Sequence, residues 1–187
     1  MRSQKRMTRI TMLASLAAIV AMFAFSSSAS AAGRGNTTLA LDPGAAAALG
    51  SLGVAVAPIA PATAGPNGIA FPITGLGLNW HPLALRVNHS GGLKFSAGST
   101  VVDLTDYTIY TGRDARLVAS LGTARVAILK LDLSKARYGI TWGGVTIGNV
   151  KASLTAGAAG ALNGAFGTTA FTEGLLIGTA TVNAKLL

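Results

Sequence analysis

The segment VAILKLDLS, residues 126–134, carries the clearest β-strand pattern in the chain. Its apolar positions are Ala127, Leu129, Leu131 and Leu133, and its polar positions are Lys130, Asp132 and Ser134. Successive side chains of a strand point to opposite faces of a sheet, so this alternation predicts a strand with one buried and one wet face.

Similar short segments flank this strand on both sides. They are Leu83–Asn88, Leu93–Ala97, Thr100–Thr111, the alternating Tyr138, Ile140 and Trp142, and Val145–Val150. Glycine pairs at 91–92 and 143–144 separate them, as is typical of tight turns between antiparallel strands. The pattern predicts a mainly β fold, an antiparallel β-sandwich, with Trp80 and Trp142 as core anchors.

Two alanine-rich segments interrupt the strands and resemble each other. LDPGAAAALG at residues 41–50 aligns without gaps on LTAGAAGALN at residues 154–163, with six of ten positions identical. Asp42 and Thr155 are residue types that cap helix N-termini, and Pro43 suits a first helical position. We therefore predict two short helices at repeated strand-to-helix corners.

The repeat makes further structural predictions. Leu49 and Leu162 should both be buried, and the helices should end near Gly50 and Asn163. After a shift of five residues the copies realign, with Ile59–Ala64 opposite Ile177–Val182. We expect these two segments to form equivalent strands that pack under their own helices.

Residues 1–31 have the organisation of a secretory signal peptide. Four basic residues precede an apolar run from Met12 to Phe25, and Ala29-Ser30-Ala31 supplies a small-residue exit. The run of about 14 residues is short of the about 20 that span a bilayer. We expect cleavage near Ala31, a secreted or cell-envelope location and a single β domain over residues 32–187, without a transmembrane segment.

The charge excludes some partners. The chain carries 15 basic and 6 acidic residues, for a formal charge of +9, and four of the basic residues belong to the leader. The remaining ones are spread over a hundred positions instead of clustering with aromatics, so nucleic-acid binding is not expected. A weak attraction to an anionic envelope is compatible with this charge, and the extracellular partner itself stays unidentified.

The residues give little support to catalysis. The chain has no cysteine, which excludes thiolate chemistry and a disulfide scaffold. Asp103 and Asp106 are three residues apart on one predicted strand, so they face opposite sides and form no carboxylate pair. There is no Gly-x-Ser-x-Gly elbow and no phosphate-binding loop. We predict a protein that is not an enzyme and has no metal site.

Few side chains remain that could contact a ligand. His81 precedes a proline and is expected at the surface or the core edge. His89 adjoins the glycine turn, where it is either a polar hairpin residue or a ligand contact. Tyr107 and Tyr110 fall on opposite faces of one strand, so one should be buried and the other exposed.

At His89-Ser90-Gly91-Gly92-Leu93 and the following strand through Ile109, the chain resembles a known family. It is similar to the Htaa (haem-transport-associated) domain of secreted actinobacterial proteins, which has a His-x-Gly-x-Leu hairpin before a similar strand. Residues 154–159 and 171–182 resemble the closing segments of that domain. The likeness covers about residues 80–185.

The resemblance implies a β-sandwich that binds haem through a tyrosine iron ligand supported by a histidine near the hairpin. His89 matches the supporting histidine. The tyrosine lies near the start of the family domain, whereas this chain has no tyrosine before Tyr107. The sequence therefore predicts a secreted, non-enzymatic binding or structural module of Htaa-like type without a cofactor, with a haem-uptake protein using His89 as the alternative.

Overall fold

The computed structural model describes residues 34–80 and 83–185 and confirms the mainly β prediction. The predicted leader and His81 lie outside the described residues. The first six strands are β1 (Gly35–Leu41), β2 (Ala55–Ile59), β3 (Thr63–Gly65), β4 (Gly68–Trp80), β5 (Leu83–His89) and β6 (Gly92–Ala97). The other six are β7 (Thr100–Tyr110), β8 (Arg116–Leu121), β9 (Ala124–Asp132), β10 (Arg137–Thr141), β11 (Gly144–Leu154) and β12 (Leu176–Lys185). Helix α1 spans Pro43–Ser51 and helix α2 spans Ala156–Phe166.

Eight strands form a closed antiparallel barrel, so the predicted sandwich is wrong. The order around the barrel is β7-β5-β4-β1-β12-β11-β9-β8. Pairing of β7 with β8, for example Tyr110 opposite Arg116, closes the ring. Strands β2 and β6 extend the sheet beyond β7, while β3 pairs with β4 and β10 with β11.

Bulges in two long strands give a physical reason for the closure. Asp106 in β7 and Asn149 in β11 have positive φ angles of 51° and 58°. Each lies at a register shift, between Thr105 and Thr108 in β7 and between Ile147 and Val150 in β11. A bulge bends its strand and increases the local twist, and this curvature lets a sheet close on itself.

The apolar faces of the strands point into the barrel. In β9, Leu129 and Leu131 are buried and Lys130 is exposed, as the alternation predicts. The largest fully buried side chains are Ile73 on β4 and Val87 on β5. One hydrophobic core therefore lines the interior of the barrel and continues under both helices.

The two predicted corners form as the sequence indicates. The Asp42 carboxylate accepts hydrogen bonds from the backbone N–H groups of Gly44 and Ala45, at 2.9 and 3.3 Å. The Thr155 hydroxyl caps α2 by accepting from the N–H of Ala158, at 3.2 Å. The predicted burial of Leu49 and Leu162 is confirmed.

Two other predictions from the repeat are wrong: the end of the second helix and the equivalence of the strands that follow the helices. Helix α2 continues past Asn163 to Phe166 and ends at Gly167, which adopts the left-handed conformation. The Asn163 amide instead binds the backbone N–H and C=O of Phe171. Strand β12 lies in the barrel beside β11, whereas β2 pairs with β6 outside it. The strands after the two helices are thus not equivalent.

The N-caps allow a direct test of the corners. Asp42→Ala and Thr155→Ala should each lower the free energy of unfolding by about 1 kcal/mol, the usual contribution of an N-cap. Urea denaturation followed by circular dichroism measures the change. Asp42→Asn and Thr155→Ser are controls that keep a capping oxygen. Equal losses in the controls would show that the caps do not carry the effect.

The prediction that Trp142 anchors the core is wrong. Its side chain is 100% exposed at the turn after β10. The side chain of Trp80 lies outside the described part of the chain. Within residues 34–80 and 83–185, neither helix has the length and apolar character that crossing a bilayer requires.

Candidate functional site

An apolar cavity of about 100 Å³ lies inside the barrel. By comparison, one water molecule needs only about 10–15 Å³ of such space. Leucine, isoleucine, valine, alanine and phenylalanine side chains form almost the whole wall, and the polar residues that join them are Thr37, Tyr107 and Thr111. A cavity with so few hydrogen-bonding groups holds water poorly and suits an apolar ligand.

Both helices border the same end of this cavity. Strands β1 and β11 each pair antiparallel with β12, so they run in the same direction and their C-terminal ends lie together. Helix α1 follows β1 and contributes Ala45 and Leu49 to the cavity wall, while α2 follows β11 and contributes Leu162. The repeated corners therefore cover one end of the barrel.

A buried polar cluster lies in the wall of the barrel. His89, at the end of β5, is 4% exposed, and Thr37 of β1 is also 4% exposed. The two side chains meet with a distance of 2.7 Å between Nε2 of His89 and Oγ1 of Thr37. On the other side of the ring, Nδ1 of His89 lies 3.1 Å from the backbone oxygen of Tyr107.

These contacts define the protonation state of His89. A carbonyl oxygen can only accept, so Nδ1 must carry the proton and donate to Tyr107, which leaves Nε2 to accept from the Thr37 hydroxyl. Burial lowers the pKa of His89 from 6.5 to about 4, and the hydrogen bond to the Tyr107 carbonyl opposes this shift. The imidazole is therefore neutral at pH 7, with both nitrogens engaged.

The Tyr107 side chain lines the cavity and carries a buried hydroxyl without a hydrogen-bond partner among the described residues. Its ring is 4% exposed and packs edge-on against Phe71, with the ring centroids 5.0 Å apart. Burial raises the pKa of Tyr107 well above its ordinary value, although the nearby backbone of Leu93 opposes the shift. No hydrogen bond of acceptable geometry reaches this hydroxyl from the described residues. A buried hydroxyl in this state costs about 1–3 kcal/mol.

The structure places the residues singled out in the sequence in different surroundings. His89, expected beside the glycine turn as a polar hairpin residue or a ligand contact, is the last residue of β5 and is buried. Tyr107 is buried, as expected of one of the two tyrosines, whereas Tyr110 is half-buried with Arg116 over its ring and not exposed. Nothing in the sequence singles out Thr37, because it meets His89 only after the chain has folded across 52 positions.

Comparisons with known proteins identify the fold. Neither a protein-family model nor a curated protein matches the chain. A crystal structure of the C-terminal domain of HtaA from Corynebacterium glutamicum covers 82% of this chain and 96% of that domain, with a TM-score of 0.62 and 12% identity. This chain has the fold of the HtaA C-terminal domain.

A second structure agrees. The domain-swapped dimer of a histidine-to-alanine variant of the HtaA domain covers 87% of this chain and 98% of its own, with a TM-score of 0.56 and 14% identity. The resemblance to the Htaa family is thus confirmed as a likeness of fold. The HtaA-type fold extends beyond residues 80–185 and includes β1, the strand that carries Thr37.

The residues in this HtaA-type barrel do not fit haem. Both nitrogens of His89 are occupied, and its Nε2 faces the aliphatic hydroxyl of Thr37 in β1, not the phenol of a tyrosine. Among the described residues, no three His, Asp or Glu side chains form a metal site.

Proposed function

We propose that this protein is an extracellular, non-enzymatic binding module that holds one slender apolar ligand inside its barrel. The ligand class we propose is a single acyl chain whose carbonyl, ester or carboxyl oxygen accepts a hydrogen bond from Tyr107. The observation that carries the proposal is the apolar cavity lined by Tyr107, whose buried hydroxyl has no hydrogen-bond partner among the described residues. An extracellular location is supported by the leader pattern of residues 1–31.

Apolar surroundings would supply the affinity and Tyr107 the orientation of the ligand. Each methylene group that leaves water contributes about 0.8 kcal/mol to binding. One hydrogen bond formed in an apolar site favours the orientation that brings the oxygen-bearing end of the chain to Tyr107. The His89–Thr37 pair would act as structural support, since both side chains already satisfy each other.

The first test asks what the exported protein carries. Native mass spectrometry of the purified protein should show one bound lipid per chain, and cis-parinaric acid, a fatty acid that fluoresces in apolar surroundings, should bind and be displaced by added fatty acid. Ala152→Leu should weaken this binding because Ala152 lines the cavity and is 1% exposed. Ala57→Leu, at an exposed position of β2, is the matched control.

Tyr107→Phe gives a sharper prediction because stability and binding should move in opposite directions. In protein freed of its lipid, loss of the unsatisfied hydroxyl should raise the free energy of unfolding by about 1–3 kcal/mol. Affinity for a fatty acid should fall about tenfold, because the ligand loses its only hydrogen bond. Thermal denaturation and fluorescence titration measure the two effects. Unchanged affinity would remove Tyr107 from the ligand site.

Haem binding is the second candidate function, because the residues from His89 to Leu93 resemble the hairpin of the Htaa family. Addition of haemin to the exported protein, followed by desalting and a visible absorption scan, separates the two candidates. A Soret shift that survives desalting and is lost in His89→Ala would favour haem. No shift, together with displacement of cis-parinaric acid by fatty acid, would favour the acyl-chain proposal.

A further inference from the structure

The hairpin formed by β10 and the start of β11 exposes an apolar stripe. Trp142 is 100% exposed, Ile140 84% and Tyr138 65%. Tyr138 pairs with Ile147 and Ile140 with Val145, so Tyr138 and Ile140 share one face of the hairpin, and Trp142 lies at its two-residue turn. At about 3.4 Å per residue, the stripe runs for about 14 Å from Tyr138 to Trp142. Exposed apolar stripes of this kind mark interaction sites.

Basic residues lie beside this stripe. Lys135 and Arg137 flank the start of β10, Lys185 pairs with Gly144 next to the turn, and Lys151 lies further along β11. All four side chains are exposed. Asp132 is the only acidic residue on strands β9 to β12. The hairpin therefore combines an apolar stripe with an excess of positive charge.

We infer that this hairpin docks the protein on an anionic lipid surface, with Trp142 inserted at the headgroup level. Tryptophan favours the interface between apolar and wet regions. Long basic side chains keep their charge in the headgroup layer while their stems lie against apolar groups. Arg137 points to the opposite face of the strand from Tyr138 and Ile140. Its charged group can therefore stay in the headgroup layer while the apolar side chains lie deeper. The inference does not depend on what the barrel interior holds.

The charges favour a lipid surface over a second copy of the chain. Strand β10 pairs only with β11 among the described strands, so its other edge is available for pairing. Pairing with the same strand of another copy would bring the basic flanks of two edges close together. Like charges across a strand pair destabilise it, and lysine near an edge strand opposes such pairing. An anionic surface instead neutralises these charges.

Sedimentation of the exported protein with vesicles tests the inference. Phosphatidylglycerol vesicles should bind the protein, binding should weaken with added salt, and phosphatidylcholine vesicles should bind it poorly. Trp142→Ser should lower the partition coefficient by about tenfold or more. Lys135→Gln and Arg137→Gln should each lower it about fivefold. Val101→Ser, at a 54% exposed position of β7, is the matched control and should change it less than about twofold.

A spectroscopic readout follows Trp142 itself. The chain has two tryptophans, so a Trp80→Phe background leaves only Trp142 emission, which should shift to the blue on phosphatidylglycerol vesicles. Every variant is exported and purified in the same way, so any contribution of residues 1–31 to vesicle binding is the same in all of them. An unshifted emission, or binding that Trp142→Ser leaves unchanged, would overturn the inference. A loss of self-association in Trp142→Ser without vesicle binding would assign the hairpin to a second copy and also overturn it.

Discussion

Replacement of Leu162 by alanine is expected to lower the free energy of unfolding by about 2–5 kcal/mol. Leu162 is buried where α2 covers the barrel, and its side chain lines the interior cavity. Truncation removes apolar contacts and enlarges a space that the surrounding strands cannot close. Leu49→Ala should have a loss of the same size, because Leu49 occupies the matching position in α1.

Leu78→Ala is the matched control for these two variants. It makes the same chemical change at a side chain that is 50% exposed, so the loss should be about 1 kcal/mol or less. Urea denaturation gives the change in free energy of unfolding for all three variants, provided that the m-value stays constant. Equal losses at Leu49, Leu162 and Leu78 would mean that the helices do not seal the barrel, and would also weaken the proposal of an interior ligand.

Acidification should destabilise the protein through His89. The folded-state pKa of about 4 lies below the unfolded value of 6.5, so the unfolded state takes up the proton first as the pH falls. The stabilising contribution is complete above pH 6.5 and is lost as the pH falls from there through 4. A difference of that size corresponds to about 3 kcal/mol once both states are protonated.

The His89→Asn variant isolates this effect. Asparagine has no titratable group and keeps an amide that can donate to the Tyr107 carbonyl. Asp132 titrates in the acid range too, because hydrogen bonds from the Ser134 side chain and backbone lower its pKa, but this contribution is common to both proteins. The difference between their stabilities should therefore shrink or reverse between pH 7 and pH 3.5. A parallel pH dependence would contradict a buried, neutral His89.

The neutral His89 and the unsatisfied Tyr107 have different roles in the proposed function. His89 stabilises the barrel wall by joining β1, β5 and β7. Tyr107 destabilises the unliganded barrel, because its hydroxyl has no partner among the described residues. A ligand that accepts a hydrogen bond would remove this penalty, so ligand binding should also raise the unfolding temperature.

Local sequence signals predicted much of the secondary structure. The alternation in residues 126–134 depends only on which side chains can be buried, and it appears in β9 from Leu129 to Asp132. Ile128 is buried as well, because it lies at a register shift opposite Leu117 and Val118 of β8. Asp42 and Thr155 cap their helices through hydrogen bonds to residues two or three positions away. Such interactions lie within one turn of the chain, so the sequence alone contains both partners.

Local sequence signals could not predict whether the strands form a sandwich or a closed barrel. A sandwich and a closed barrel bury the same face of each strand, so they require the same alternation. The distinction came from the bulges at Asp106 and Asn149 and from the pairing of β7 with β8. The end of α2 was also decided by packing, because the Asn163 side chain binds Phe171 instead of ending the helix.

The sequence by itself determined the strand pattern, the two capped helices, the charge and the absence of cysteine. Only the tertiary structure decided that Trp142 is exposed although its alternation matches that of a buried strand, since burial depends on what packs against a face. Only the tertiary structure brought Thr37, His89 and Tyr107 together. The physical reason is that a site inside a barrel is made by contacts between distant strands, and neighbours along the chain contain no record of those contacts.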